Sequence, residues 1–202
     1  STSEQAASRL KNDLAVARNV LTQVLQNRHE QLTSSVSVLT NDFGFKDAVA
    51  SRDKRTIDSA LSNQGERINA DLMALFSLDA ITITSVPELI TAQTPFIYPE
   101  LIDSAQLNGN STSILSLDDK LYQVLFSNVK APRSIAVALM GFEIDQALIE
   151  QLKQITQLET TVIVYIDGNN AYQISTLKSD LYSQNIQIEN TDALFLPLLA
   201  YS

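Results

Sequence analysis

SEQAASRLKNDLAVARNVLTQVLQNRHEQLTSSVSVLTN, residues 3–41, contains neither Gly nor Pro. Its apolar residues recur at helical spacing: Leu10, Leu14, Ala17, Leu21, Leu25, Leu32, Val36 and Leu39, with Phe43 next in line. Arg28 is the single break in that stripe. The spacing predicts one helix of about 40 residues, about 60 Å long. A compact chain of this size has a radius of gyration of about 17 Å, so the helix is expected to project beyond its own globule. Its overhang then needs a partner for the stripe, either a second subunit or a segment preceding Ser1. A homodimer through this helix is the corresponding expectation.

Beyond the helix, Ser51-Arg52-Asp53 offers N-caps, and Ile57, Leu61, Ile68 and Leu72 mark a second helix ending near Asp71, interrupted only by Gly65. Leu72 to Ser85 reads as two short strands around Ser77-Leu78-Asp79, followed by an irregular stretch punctuated by Pro87, Pro95 and Pro99. A short helix is expected over 100–107, closed by Asn108-Gly109-Asn110. A hairpin follows over 113–129 with its turn at Asp118-Asp119, then a strand over 134–144 and a helix from Gln146 to about Leu158. This order of elements is that of one PAS-like unit.

A second unit opens at Thr160. Val162, Val164 and Ile166 alternate, Asp167-Gly168-Asn169-Asn170 makes a hairpin turn, and the chain returns over 172–176. Two further strands are expected over 185–189 and 193–200. Little chain is left for a whole module, so the second is minimal or cut short. The reading is therefore an α+β chain: a stalk helix over 1–45, a PAS-like module over 46–158, and a smaller PAS-like module with an antiparallel sheet over 159–202.

This order, together with one local run, resembles the double Cache sensor ectodomains of bacterial receptors. The run is Ala60 to Asp71, ALSNQGERINAD, continued as LMALFSLD to Asp79, in which a helix carrying Asn63 and Arg67 feeds directly into the first strand and its Asp turn. The resemblance implies a membrane-distal module at 46–158 and a membrane-proximal one at 159–202. It further implies an extracytoplasmic, periplasmic location, and an output module such as a diguanylate cyclase, phosphodiesterase, histidine kinase or chemotaxis domain on the far side of the membrane. The chain departs from the family where Asp79 is followed by Ala80 and Ile81 instead of an Asp-x-x-Gly turn. The aromatic and Arg/Asp signature of the amino-acid-binding branch is not visible, so the small-molecule ligand is left unidentified.

Composition narrows the alternatives. With 45% hydrophobic residues the chain can bury a sizeable core. A net charge of −9 and 14 scattered Lys and Arg argue against nucleic acid. Zero cysteines exclude disulfides, thiolate zinc sites and thiol catalysis. The longest apolar runs, such as Ile135 to Met140, fall short of the roughly 18–20 residues that span a bilayer. The chain opens without Met and stops at Tyr201-Ser202 after an apolar run. The expectation is that flanking segments, including those that engage the membrane, lie outside it.

Chemistry is sparse. His29 is the only histidine and sits in the long helix between Arg28 and Glu30, so no His-based triad or multi-His metal site can form. Asp118-Asp119 and Asp167-Gly168-Asn169-Asn170 read as turns; an EF-hand loop would place Ala171 at its fifth position and lacks the closing Glu. Asn110-Ser111-Thr112 matches a glycosylation sequon and is read as a loop. No phosphate-binding glycine loop or nucleophile elbow appears. No catalytic residue, metal or cofactor is therefore expected. A ligand pocket between the sheet and its small helices would draw on Phe96, Tyr98, Tyr122, Phe126, Arg133 and Met140. Ala136 and Ala138 leave room either for a ligand or for close approach of a helix. An anionic ligand would need Arg133 or Arg67. The leading function is a ligand-sensing input domain that signals through its long helix; the rival is a periplasmic interaction or spacer module with no small-molecule ligand.

Overall fold

A computed structural model describes residues 1–157, 160–166, 169–175 and 184–189. Helix α1 (Thr2–Asn41) is continuous over 40 residues. It stops because Asp42 starts a new helix, its carboxylate accepting from Phe45 N at 2.6 Å. The resulting α2 (Phe43–Ser51) resets the helical phase. Phe43, read as the end of the stripe, is thrown outward at 83% exposure, and Phe45 takes the core position at 1%. Arg52 closes α2 in the left-handed region, and Asp53 caps α3 (Lys54–Glu66). α3 ends at Glu66, short of Asp71, because Ala70 N bonds back to Gly65 O and Asn69 adopts a positive φ.

Five strands follow as one antiparallel sheet: β1 (Leu72–Phe76), β2 (Thr82–Val86), β3 (Asn110–Leu117), β4 (Lys120–Lys130) and β5 (Ser134–Glu143). Their order is β2-β1-β5-β4-β3. α4 (Pro99–Asn108) separates β2 from β3. The Asn110-Ser111-Thr112 triplet is the start of β3, with Ser111 and Thr112 buried, so it is not a loop.

Strand parity divides the core. Met73, Leu75, Leu125, Ala136, Ala138 and Met140 face Leu32, Val36 and Leu39 of α1, Phe45 and Val49 of α2, and Ile57 and Leu61 of α3. The small Ala136 and Ala138 thus lie in the face that the helices cover. Leu72, Ala74, Phe76, Val124, Val137 and Leu139 point the other way, toward Ile102 and Ala105 of α4. Gly141 sits where β5 and β4 pass closely: a Cβ there would lie 2.8 Å from Val124 Cγ1 and 3.1 Å from Gln123 O.

α5 (Gln146–Thr156), capped by Asp145, leads into a second sheet of β6 (Thr160–Ile166), β7 (Asn169–Ser175) and β8 (Gln184–Glu189) in the order β7-β6-β8. β6 and β7 form the expected hairpin, but β8 runs parallel to β6, so this sheet is mixed and not wholly antiparallel. The strand expected at 193–200 lies outside the described residues. The chain groups into two compact units, one of Arg28–Glu143 and one of Ser1–Asn27 with the described chain from Ile144 onward. That grouping divides α1 internally, where element order had placed boundaries at 45 and 158.

The helix stripe is covered further toward its N-terminus than its length led us to expect. Ala17, Leu21 and Leu25 are buried within the second unit, at 1%, 1% and 0% exposure. Leu10 and Val16 are exposed at 58% and 51%. Leu32→Ala should therefore cost about 2–5 kcal/mol of stability, and Leu10→Ala less than about 0.5 kcal/mol, in urea unfolding of the isolated chain. Equal effects would contradict this placement of α1.

Candidate functional site

The irregular stretch after β2 is positioned by that strand's outer edge. Thr82 N donates to Thr94 O at 2.9 Å, Gln93 N donates to Thr82 O at 2.8 Å, and Phe96 N donates to Ala80 O at 2.8 Å. The loop thereby satisfies backbone groups that an edge strand would leave open. It also carries Phe96 over the sheet face opposite α1, where ring centroids lie 4.5 Å from Phe76 and 5.9 Å from Phe126. Tyr98 meets Phe96 edge-on at 5.7 Å, and its hydroxyl donates to Ser116 O at 3.0 Å. α4 is tied down beside them, Gln106 Nε2 donating to Leu78 O and Ser111 Oγ to Leu101 O.

Four of the six residues read from sequence come together on this face: Phe96, Tyr98, Tyr122 and Phe126. Phe126, Tyr122 and Phe96 are 0%, 2% and 4% exposed, so their rings fill the space under the loop. Met140 does not join them; parity puts it on the helix-covered face. Arg133 is exposed in the β4–β5 turn, where Ala131 N donates to Arg133 O. Arg67 is exposed at the end of α3, within 3.5 Å of Gln64 Oε1. Phe76 was missed by sequence reading, although the uniformly apolar run Leu72–Phe76 is the signature of a strand buried on both faces.

An open cleft of about 590 Å³ lies where the loop passes the β3–β4 turn, between Leu89, Thr94 and Tyr98 on one side and Ser116 and Asp118 on the other. Asp118 and Asp119 both have positive φ, 51° and 58°, the geometry of a two-residue type I′ hairpin, and their side chains are exposed. Among the described residues the cleft walls hold these two carboxylates and no Lys or Arg. Such a cleft favours neutral or cationic solutes over anions. His29 lies outside these walls, half-buried on α1, with burial holding its imidazole below the usual range against the opposing charge of Glu30. Among the described residues no His, Asp and Glu side chains cluster as metal ligands, and no helix is long and apolar enough to cross a membrane.

No protein-family model and no curated protein matches the sequence. Among solved structures, the sensor domain of Escherichia coli DcuS superposes with a TM-score of 0.52 at 14% identity, covering 67% of this chain and 96% of that one. The sensor domain of the Vibrio cholerae histidine kinase DctB gives 0.47 at 20% identity, over 65% and 60%. The periplasmic domain of Chlamydia trachomatis RsbU gives 0.36 at 14% identity, over 78% and 64%. The chain therefore shares the α+β fold of the DcuS sensor domain.

Tyr122 carries a testable electrostatic load. Burial raises its phenol pKa above the usual value, and the charges of Glu143, Asp71 and Asp118 raise it further. A raised folded-state pKa means full stability below about pH 10 and loss above it, as the unfolded chain ionises first. Urea midpoints at about pH 8 and pH 11 should thus drop less for Tyr122→Phe than for the wild type, and an equal drop would remove Tyr122 from the alkaline response.

Proposed function

We propose that this chain is the extracytoplasmic ligand-sensing region of a bacterial transmembrane receptor, of the double Cache type. It takes up a small neutral or cationic molecule at the Tyr98 cleft and passes the signal through α1 to an output domain. The observation that carries the reading is that α1 and the cleft region use the two faces of one sheet, in a fold shared with the DcuS sensor domain. In β4, Leu125 packs on the helix side and Phe126 on the cleft side, one residue apart. A close-packed sheet cannot shift on one face alone, so a ligand that favours one arrangement of the loop biases the seating of Leu32, Val36 and Leu39.

The rival reading, an interaction or spacer module without a small-molecule ligand, draws on the filled aromatic core behind Tyr98. A melting screen with polyamines, neutral amino acids, nucleobases and dicarboxylates separates the two. A cognate ligand at about 100 times its Kd raises stability by about 2.7 kcal/mol, or about 5–10 °C in a chain of this size. We expect such a shift from a neutral or cationic class, reduced by Tyr98→Ala and by Asp118→Asn. No shift from any class supports the spacer.

The same proposal includes pairing of two copies along α1, whose Leu10 and Val16 remain exposed. Sedimentation at high protein concentration should show a dimer that Leu10→Glu weakens; a monomer throughout would remove dimerisation of the isolated chain.

A further inference from the structure

A second cavity, of about 350 Å³ and more enclosed than the Tyr98 cleft, lies where the β1–β2 turn meets the corner between α2 and α3. Val49, Ile57, Ile83 and Ile135 form its apolar wall, and Arg52 and Lys54 stand at its polar side. The α2–α3 corner concentrates positive charge in an acidic chain, since Arg52, Lys54 and Arg55 occupy three of four consecutive positions. The carboxylate between them, Asp53, is committed to the α3 cap, accepting from Thr56 N and from Thr56 Oγ1 at 2.7 Å. Lys54 is paired with Asp58 at 2.8 Å, and Asp58 also accepts from Thr84 Oγ1 at 2.6 Å. Glu88 adds its charge near Lys54. Arg52, by contrast, has no ion pair among the described residues.

Arg52 is also held at φ 60°, ψ 33°, the left-handed helix-closing position at which glycine is the unstrained choice. A non-glycine residue there costs about 1–2 kcal/mol. Thr82, fully buried in the same wall, has a hydroxyl oxygen without a hydrogen-bond partner among the described residues. From these features we infer that the cavity binds a small amphipathic monoanion: an apolar body against Val49, Ile57, Ile83 and Ile135, and a carboxylate directed to Arg52. Its size lies at the lower end of small-molecule pockets, and its polarity is opposite to that of the Tyr98 cleft. The inference is independent of the ligand proposed for that cleft.

Hexanoate, with hexanol as its uncharged analogue, tests this by calorimetric titration and by amide chemical shifts of the whole chain. The wild type should bind hexanoate saturably and hexanol at least tenfold more weakly, with shifts centred on residues 49–57, 83 and 135. Arg52→Gly relieves the left-handed strain, so its melting temperature should hold or rise while hexanoate affinity falls at least tenfold. Tyr98→Ala should leave hexanoate binding unchanged. Lack of saturable hexanoate binding, equal affinity for hexanol, or full binding by Arg52→Gly would each overturn the site. Loss of binding in Tyr98→Ala would move the anion to the other cleft and overturn it as well.

Discussion

The first sheet has no solvent face at its centre, and that constraint sets everything around it. Every residue of β1 is buried, as is Ala136 to Phe142 of β5. Two such faces need two covers, which is why three helices precede the sheet and a helix with a pinned loop interrupts it. The covers differ in kind. On the α1 side the contacts are mostly aliphatic, joined by Phe45 and Phe142, with Ala136 and Ala138 short enough for helices to pack against the strands. On the α4 side they are aromatic and supplied partly by a loop held at a strand edge. A loop held by a few hydrogen bonds opens at lower free energy than a packed helix layer, so the α4 side is the more easily opened of the two.

The periodicity of α1 was legible because nothing in residues 3–41 competes with a helix, and β1, β2, the β3–β4 hairpin and β5 were legible from alternation and turn residues. What the sequence hid are events decided by single capping groups and by tertiary choice. Asp42 ends one helix and begins another, with Gly44 in the first turn of the new one, and the change of phase exchanges Phe43 for Phe45 in the core. For β5, parity correctly grouped Ala136, Ala138 and Met140 on one face. It could not tell which face the helices would take, and so Met140 was assigned to a pocket that lies across the sheet. The parallel pairing of β8 with β6 was hidden for a similar reason, since alternation is the same in either direction.

The two cavities divide the charge of the molecule in a way composition alone conceals. A chain of net charge −9 would repel anions from most of its surface. At the Tyr98 cleft the walls follow that bias, with Asp118 and Asp119 and no cation among the described residues. At the α2–α3 corner the cavity walls hold Arg52 and Lys54 and, among the described residues, no carboxylate, the Asp53 carboxylate being engaged by the α3 cap.

Arg28, the one interruption of the α1 stripe, reaches the end of β5. Its Nη1 donates to Glu143 O at 2.9 Å, and its guanidinium lies 5.2 Å from the centroid of the Phe142 ring. From the other side, Asp71 Oδ2 accepts from Glu143 N at 2.8 Å, and Asp71 N donates to Gly141 O. The last residues of β5 are therefore fixed both to α1 and to the chain entering β1. A leucine at position 28 would extend the stripe but leave the Glu143 carbonyl without this donor. A charge-assisted bond of this kind contributes about 1.5–3 kcal/mol, comparable to the burial of one more leucine, and unlike that burial it has a direction. Sliding α1 along its axis would break it, whereas aliphatic contacts tolerate a small slip. The break in the hydrophobic pattern is thus what fixes the helix's axial position against the sheet.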